Sequence, residues 1–299
     1  MDQMFKFAFF GTDEFSVKVL ETLVKQGLKP SLIVTVPDKP KGRKMIMTPP
    51  LVKVWGEENG VEVVQPSSLK TRSDLGLTRG TTSGEKENFD FFLVASYGKI
   101  IPQEILNIPT HGTLNIHPSL LPKYRGPAPL ETAILNGDDK MGVTIIKLDA
   151  EMDHGPILAQ KSFDSRRQGS GQGIPLYNFE QLRDKTAEIG ANLLTDILPD
   201  YLASKVTLEN QDHDSATFTK KFVKADGELK SSDSALINHR KILALNPWPG
   251  TFIFYNNTRV SIKQAHLNEQ GELVFDRVVP EGRKEMAWED FLRGLNTQK

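Results

Sequence analysis

Cysteine is absent from the 299-residue chain. That excludes disulfides, thiolate metal sites and a cysteine nucleophile, and it fits a reducing, cytoplasmic setting. No run approaches the roughly 18 apolar residues that a membrane-crossing helix requires. The opening MDQMFKFAFFGTDEF has neither a cleavage pattern nor an apolar core long enough for a signal peptide, so a cytoplasmic protein with no membrane partner is expected. An excess of either charge is missing too: 37 basic residues face 38 acidic ones, a net of −1. A broad electrostatic grip on nucleic acid needs a basic surface, so any such contact here must be local. What remains is an ordinary globular mix, 38% hydrophobic and 25% charged, at a length that suits one large or two ordinary domains.

The apolar pattern starts with a short run at 5–10, FKFAFF, that ends at Gly11. Helical spacing of Phe15, Val19, Leu20 and Leu23 follows, with Thr12 or Asp13 as the N-cap. A second, β-branched strand at 31–36 completes a βαβ unit and predicts a parallel sheet. Residues 37–50, PDKPKGRKMIMTPP, read as a proline-rich loop carrying Lys39, Lys41, Arg43 and Lys44. A helix at 51–59 and a strand at 61–64 come next, then a polar stretch, 66–88, expected to be an exposed insertion. Strands are expected at 91–95, 113–116, 143–148 and 157–163, with helices from Pro102, at 127–136 and at 176–202. The last carries Phe179, Leu182, Ile189, Leu193, Ile197 and Tyr201 on one stripe. The chain then turns polar, and strand-like segments at 250–255, 259–264 and 272–277 predict a small, largely β domain. The expected organisation is a first domain at 1–204, a linker at 205–215 and a C-terminal domain at 216–299.

The densest chemistry lies in LNIHPSLLPKYRG, residues 114–126. Asn115 and His117 are two apart on a strand end, so their side chains share a face. Pro118 ends the strand there, at the edge where open α/β sheets hold their ligands. An amide donor beside an imidazole can stabilise an oxyanion, and the imidazole can move a proton near neutral pH. The competing reading is a buried histidine and a turn asparagine. A second element, Asp149 to Pro156, is an acidic loop between strands. Asp153 there can orient His117, or it can simply form a turn with Gly155. A zinc site from His117, Asp153 and His154 is disfavoured because no H-x-x-x-H or H-E-x-x-H pair is present.

The turn after the first strand lacks both G-x-G-x-x-G and G-K-[ST], and Asp13 and Glu14 would repel a phosphate, so a dinucleotide is not expected. Phe15 remains an apolar candidate for a substrate wall. The basic arm at 38–44 and a second cluster of Lys220, Lys221 and Lys224 can each meet phosphates or simply be solvated.

LNIHPSLLPKYRGPAP, followed by VTIIKLDAEMDHGPIL, resembles the folate-dependent formyltransferase family. FAFFGTDEFSVKVLETL, PDKPKGRK, ASYGKIIP and the tetrapeptide NPWP extend the likeness over most of the chain. The basic loop and NPWP look like the branch that acts on initiator tRNA, rather than the one in purine synthesis. The resemblance implies an α/β fold: a doubly wound, mostly parallel sheet with a small, shortened C-terminal β-barrel of OB-like form. It implies transfer of a formyl group from 10-formyltetrahydrofolate to the amino group of methionyl initiator tRNA, with no metal and no obligate protein partner, by a monomer. By position it makes Asn115, His117 and Asp153 catalytic, and places folate against Ser119, Leu120, Leu121, Pro122, Tyr97, Gly98 and Lys99. Phe15, Lys41, Arg43 and Lys44 fall on the side of the tRNA. Two departures stand out: 71–88 is longer and more polar than the pattern, and the C-terminal domain is short. The alternatives are another amine acceptor such as an amino-sugar nucleotide, hydrolysis of the formyl group, or a non-catalytic folate- or RNA-binding protein.

Overall fold

A computed structural model describes residues 5–42, 44–76, 88–165, 175 and 177–296. The chain divides into two compact units. The first holds Met1–Arg125, Gly142–Ser162 and Arg183–Thr217, and the second holds Gly126–Met141, Phe163–Leu182 and Phe218–Lys299.

In chain order the first elements are β1 (Phe7–Gly11), α1 (Glu14–Lys25), β2 (Leu32–Val34), β3 (Lys39–Lys41), β4 (Ile46–Thr48), α2 (Leu51–Glu58) and β5 (Glu62–Val64). They are followed by β6 (Phe91–Ala95), the single-turn α3 (Gln103–Leu106), β7 (Thr113–His117), α4 (Pro129–Asn136), β8 (Lys140–Lys147), β9 (Ile157–Asp164) and α5 (Phe179–Leu202). The main sheet runs β5-β2-β1-β6-β7-β8-β9. Its first five strands are parallel, and β8 turns antiparallel on β7. β1, β6 and β7 are buried along their whole length, as strands covered on both faces must be. The chain winds outward from β1 through β2 to β5, then restarts on the other side at β6. The strand order therefore reverses between β1 and β6, which opens a crevice at their C-terminal ends.

Local sequence places the elements that carry this crevice. Asp13 caps α1 in a capping box with Ser16, and α1 buries Phe15, Val19, Leu20 and Leu23 against the sheet. Gly190 on α5 lies so close to β7 that a Cβ there would fall 2.4 Å from Ile116 Cγ2. The missing side chain lets α5 sit directly on the strand that carries Asn115 and His117.

Two local expectations change. The loop at 37–50 contains a hairpin, β3 paired with β4, in which Pro40 faces Met47. Proline is tolerated because a two-stranded ribbon leaves its missing N–H on an edge. Met45, Ile46 and Met47 stand exposed on it. In the polar stretch expected to be exposed, Leu69 and Leu75 are buried beside Phe89 and Phe92. Two leucines among polar neighbours were too sparse a pattern to reveal an anchor. Residues 77–87 of that stretch lie outside the described residues.

In the second unit, α6 (Ala235–Leu245) precedes β10 (Thr251–Tyr255), β11 (Thr258–Leu267), β12 (Leu273–Pro280), β13 (Met286–Ala287) and α7 (Trp288–Asn296). The four strands form one antiparallel sheet in sequence order. Its core joins Leu229, Ile242, Val260, Ile262, Val278 and Phe291. The two helices are additions to the expected strands. α7 was legible in principle, because Trp288, Phe291, Leu292 and Leu295 recur at helical spacing.

Candidate active site

β7 carries Asn115 and His117 to its C-terminal end with their side chains on one face. The loop after β8 brings Asp153 to them. Asn115 Nδ2 donates to Asp153 Oδ1 at 3.3 Å, and His117 Nδ1 lies 3.5 Å from the same oxygen, an ion-pair distance. The three side chains are nearly buried, Asn115 at 8% exposure and His117 at 4%. On its other side His117 Nε2 donates to the Tyr124 carbonyl at 3.0 Å. A carbonyl can only accept, so Nε2 carries its proton and Nδ1 is the nitrogen left facing the carboxylate. A proton on Nδ1 makes that contact charge-assisted, whereas its removal sets a lone pair against Asp153. The imidazole is thus held between a fixed acceptor and an acid.

Three non-glycine residues around this point adopt left-handed backbone: Ser96 at φ 53°, Tyr124 at φ 66° and Asp153 at φ 51°. Such conformations cost on the order of 1–2 kcal/mol each and persist only where neighbours over-determine them. The neighbours are visible. Tyr124 N donates to Thr217 Oγ1, and Arg125 N donates to the Thr217 carbonyl. Gln211 Nε2 donates to the Asp153 carbonyl at 2.9 Å and to that of Gly155 at 2.8 Å. Gln211 in turn accepts from Arg125, and Arg125 Nη2 donates to His213 Nδ1. His154 turns away from His117: its Nδ1 meets Asp149 Oδ2 at 2.7 Å, and its ring stacks on His213 at 4.0 Å. Sequence reasoning missed Arg125, Gln211 and His213. The last two lie in the polar stretch expected to be a linker, and no local pattern marks a glutamine as buried.

The segment after His117 is pinned by its own backbone. Ser119 Oγ donates to the Lys123 carbonyl, Thr144 Oγ1 donates to the Ser119 carbonyl and accepts from Leu121 N, and Gln160 Nε2 donates to the Leu121 carbonyl. Ser119 and Leu121 are buried, and Leu120 and Pro122 half-buried. The four residues are therefore a rigid strip, with the serine hydroxyl already engaged. At the end of β6, Tyr97 packs its ring edge-on to Phe10, 5.6 Å away. Its hydroxyl is buried without a hydrogen-bond partner among the described residues, and burial pushes the phenol up to about 12. Gly98 faces open space, and Lys99 Nζ donates to the carbonyls of Pro66 and Ser67. Asp13 sits across the crevice, its carboxyl raised above the ordinary value chiefly by burial.

Phe15 is buried at 5% exposure and packs with the core of the first unit, where the helical spacing of α1 turns it inward. Lys41 and Lys44 are exposed on the β3–β4 hairpin, and Arg43 lies outside the described residues. In the second unit a separate cleft is lined by Lys224, Arg259 and Lys263 together with Pro247, Pro249 and Phe252. The Arg259 guanidinium stacks 3.9 Å above the Phe252 ring.

A reversed-order α/β sheet thus carries an amide, an imidazole and a carboxylate in mutual contact at the edge where such sheets hold their ligands. The chain belongs to the formyl transferase family: that family's model matches residues 5–194, and the model of its C-terminal domain matches 221–274. Among its relatives, the methionyl-tRNA formyltransferase of Herpetosiphon aurantiacus is 36% identical over 312 aligned positions, covering 96% of each chain. The solved methionyl-tRNA formyltransferase from Clostridium thermocellum superimposes with a TM-score of 0.60 at 18% identity, covering 93% of this chain and 99% of that one. A solved sugar 3N-formyl transferase gives a TM-score of 0.62 at 18% identity, covering 89% and 88%. At that identity both structures speak to the fold alone.

Proposed function

We propose that this enzyme transfers the formyl group of 10-formyltetrahydrofolate to the α-amino group of methionyl initiator tRNA, as a cytoplasmic monomer. Residues 1–204 carry the chemistry and 216–299 contact the tRNA. The observation that carries the reading is the convergence of Asn115, His117 and Asp153 on one buried point, in a chain whose full-length relatives are methionyl-tRNA formyltransferases.

The crevice fits a folate. It offers a buried hydroxyl with no partner among the described residues at Tyr97, open space over Gly98, and the pinned strip 119–122 as a wall. When bound, the folate supplies an electrophilic formyl carbon on N10. Asn115 Nδ2 donates to the formyl oxygen as charge builds there, and His117 carrying a proton on Nδ1 adds to that stabilisation. Asp153 holds the imidazole through Nδ1 and helps pass the proton released by the attacking amine towards N10, so that the carbon–N10 bond breaks as the carbon–amine bond forms. The amine is a competent nucleophile once deprotonated, and no other activating group is required. Lys41 and Lys44, with Arg43 between them in sequence, and the cleft at Lys224, Arg259 and Lys263 give the tRNA phosphates local positive charge on a chain of net charge −1.

The test is formylation with 10-formyltetrahydrofolate and methionyl initiator tRNA. Formyl-methionyl-tRNA should accumulate, and small amines and amino-sugar nucleotides should react poorly. Formate release without an acceptor, or preference for a sugar amine, would overturn the reading.

A further inference from the structure

The geometry points to Gln211 as a positioning residue for Asp153, acting through a clamp that Arg125 closes. The inference rests on the reading of Asp153 as part of the transfer site.

Gln211 is buried at 5% exposure and Arg125 at 4%. A glutamine amide has two N–H donors and one oxygen with two lone pairs. Here the whole set is engaged. Nε2 donates to the carbonyls of Asp153 and Gly155, and Oε1 accepts from Arg125 Nε at 3.1 Å and Nη2 at 2.7 Å. The amide has one possible orientation, because a flip would set its oxygen against two carbonyls and its NH2 against a guanidinium.

The clamp joins the two halves of the site. Arg125 directly follows Tyr124, whose carbonyl accepts from His117 Nε2. The two carbonyls held by Gln211 flank the 153–155 segment, whose first residue is in left-handed backbone. Fixing both sets the direction of the Asp153 Cα–Cβ bond, and hence where its carboxylate meets Asn115 and His117. On the other side His213 accepts from Arg125 and stacks on His154, the neighbour of Asp153. A buried, fully engaged amide that contacts the carboxylate-bearing backbone, and none of the three reacting side chains, supports the site from behind.

The test is a double-mutant cycle on the full-length enzyme in the formylation assay. Gln211→Glu keeps an acceptor for Arg125 but loses both donations to the loop. Its kcat should fall at least about tenfold, with KM for folate and tRNA within about twofold of wild type. In an Asp153→Ala background the same substitution should change kcat less than about twofold, because there is no carboxylate left to aim. Equal losses in both backgrounds, or a wild-type kcat in Gln211→Glu, would overturn the proposal. Should Gln211→Glu fail to fold, Gln211→Asn keeps the amide on a shorter stem and is put through the same cycle, with the same expected and opposing results. Should the wild-type enzyme make no formyl-methionyl-tRNA, the functional reading fails by itself. The clamp is then judged by hydrogen exchange of 149–156: faster exchange in the Gln211 variant supports it, and unchanged exchange refutes it.

Discussion

Replacing Gly155 by alanine tests the site through its backbone and touches no reacting side chain. Gly155 is buried two residues after Asp153, where the loop returns alongside Lys147. A Cβ built there lies 1.8 Å from the Lys147 carbonyl oxygen and 3.0 Å from its carbon, and ordinary contact begins near 3.4 Å. The obstacle is the backbone of β8, which cannot rotate aside as a side chain can. The loop must therefore retreat by roughly 1.5 Å, stretching the Lys147 N to Pro156 carbonyl bond and the two bonds from Gln211. Asp153 moves with it. A displacement of about 1 Å at reacting groups costs on the order of 100-fold in rate. Gly155→Ala should therefore lower kcat for methionyl-tRNA formylation about 100-fold, while far-ultraviolet circular dichroism still reports a folded protein. A kcat within about threefold of wild type would refute the coupling of loop position to turnover.

Other outcomes follow from the same structure. Asn115→Ala should cut kcat roughly 100- to 1000-fold with little change in KM if, as proposed, the amide acts on charge that develops only in the transition state; steady-state kinetics check this, and a raised KM at unchanged kcat would assign it to binding instead. Lys41→Ala and Lys44→Ala should each raise KM for tRNA and flatten its dependence on log salt concentration by about one unit, leaving KM for folate unchanged, as measured across a salt series. Burial raises the Asp13 carboxyl above the ordinary carboxylate value in the folded protein. The native state then holds the proton more tightly than the unfolded chain. Its ionisation subtracts stability as pH rises from the ordinary carboxylate value through the folded pKa, and the loss persists above it. Asp13→Asn, which still caps α1, should raise the melting temperature at pH 7 and lose that advantage below about pH 4, as thermal melts across pH would show.

Much of the fold was written in local patterns. The uninterrupted apolar runs at β1 and β6 and the helical spacing of Phe15, Val19, Leu20 and Leu23 announce a parallel sheet covered on both faces. The alternation that put Asn115 and His117 on one face needs only a strand, and Pro118 only has to end it. Leu69 and Leu75 escaped because a few scattered leucines in a polar stretch carry no period. α6 and α7 were passed over in a region where strand signals dominated.

Sequence alone settled the first unit's α/β class, the residues of β7 and the kind of chemistry an amide and an imidazole offer, because these follow from side-chain periodicity and functional groups within a few residues. Tertiary structure decided the rest. Asp153 lies 36 residues beyond His117, and its approach depends on β8 turning antiparallel, on Gly155 lacking a Cβ, and on Gln211 reaching across from residue 211. Contacts of that range are paid for in chain entropy and recovered only when all the elements pack at once, so no window of sequence contains them.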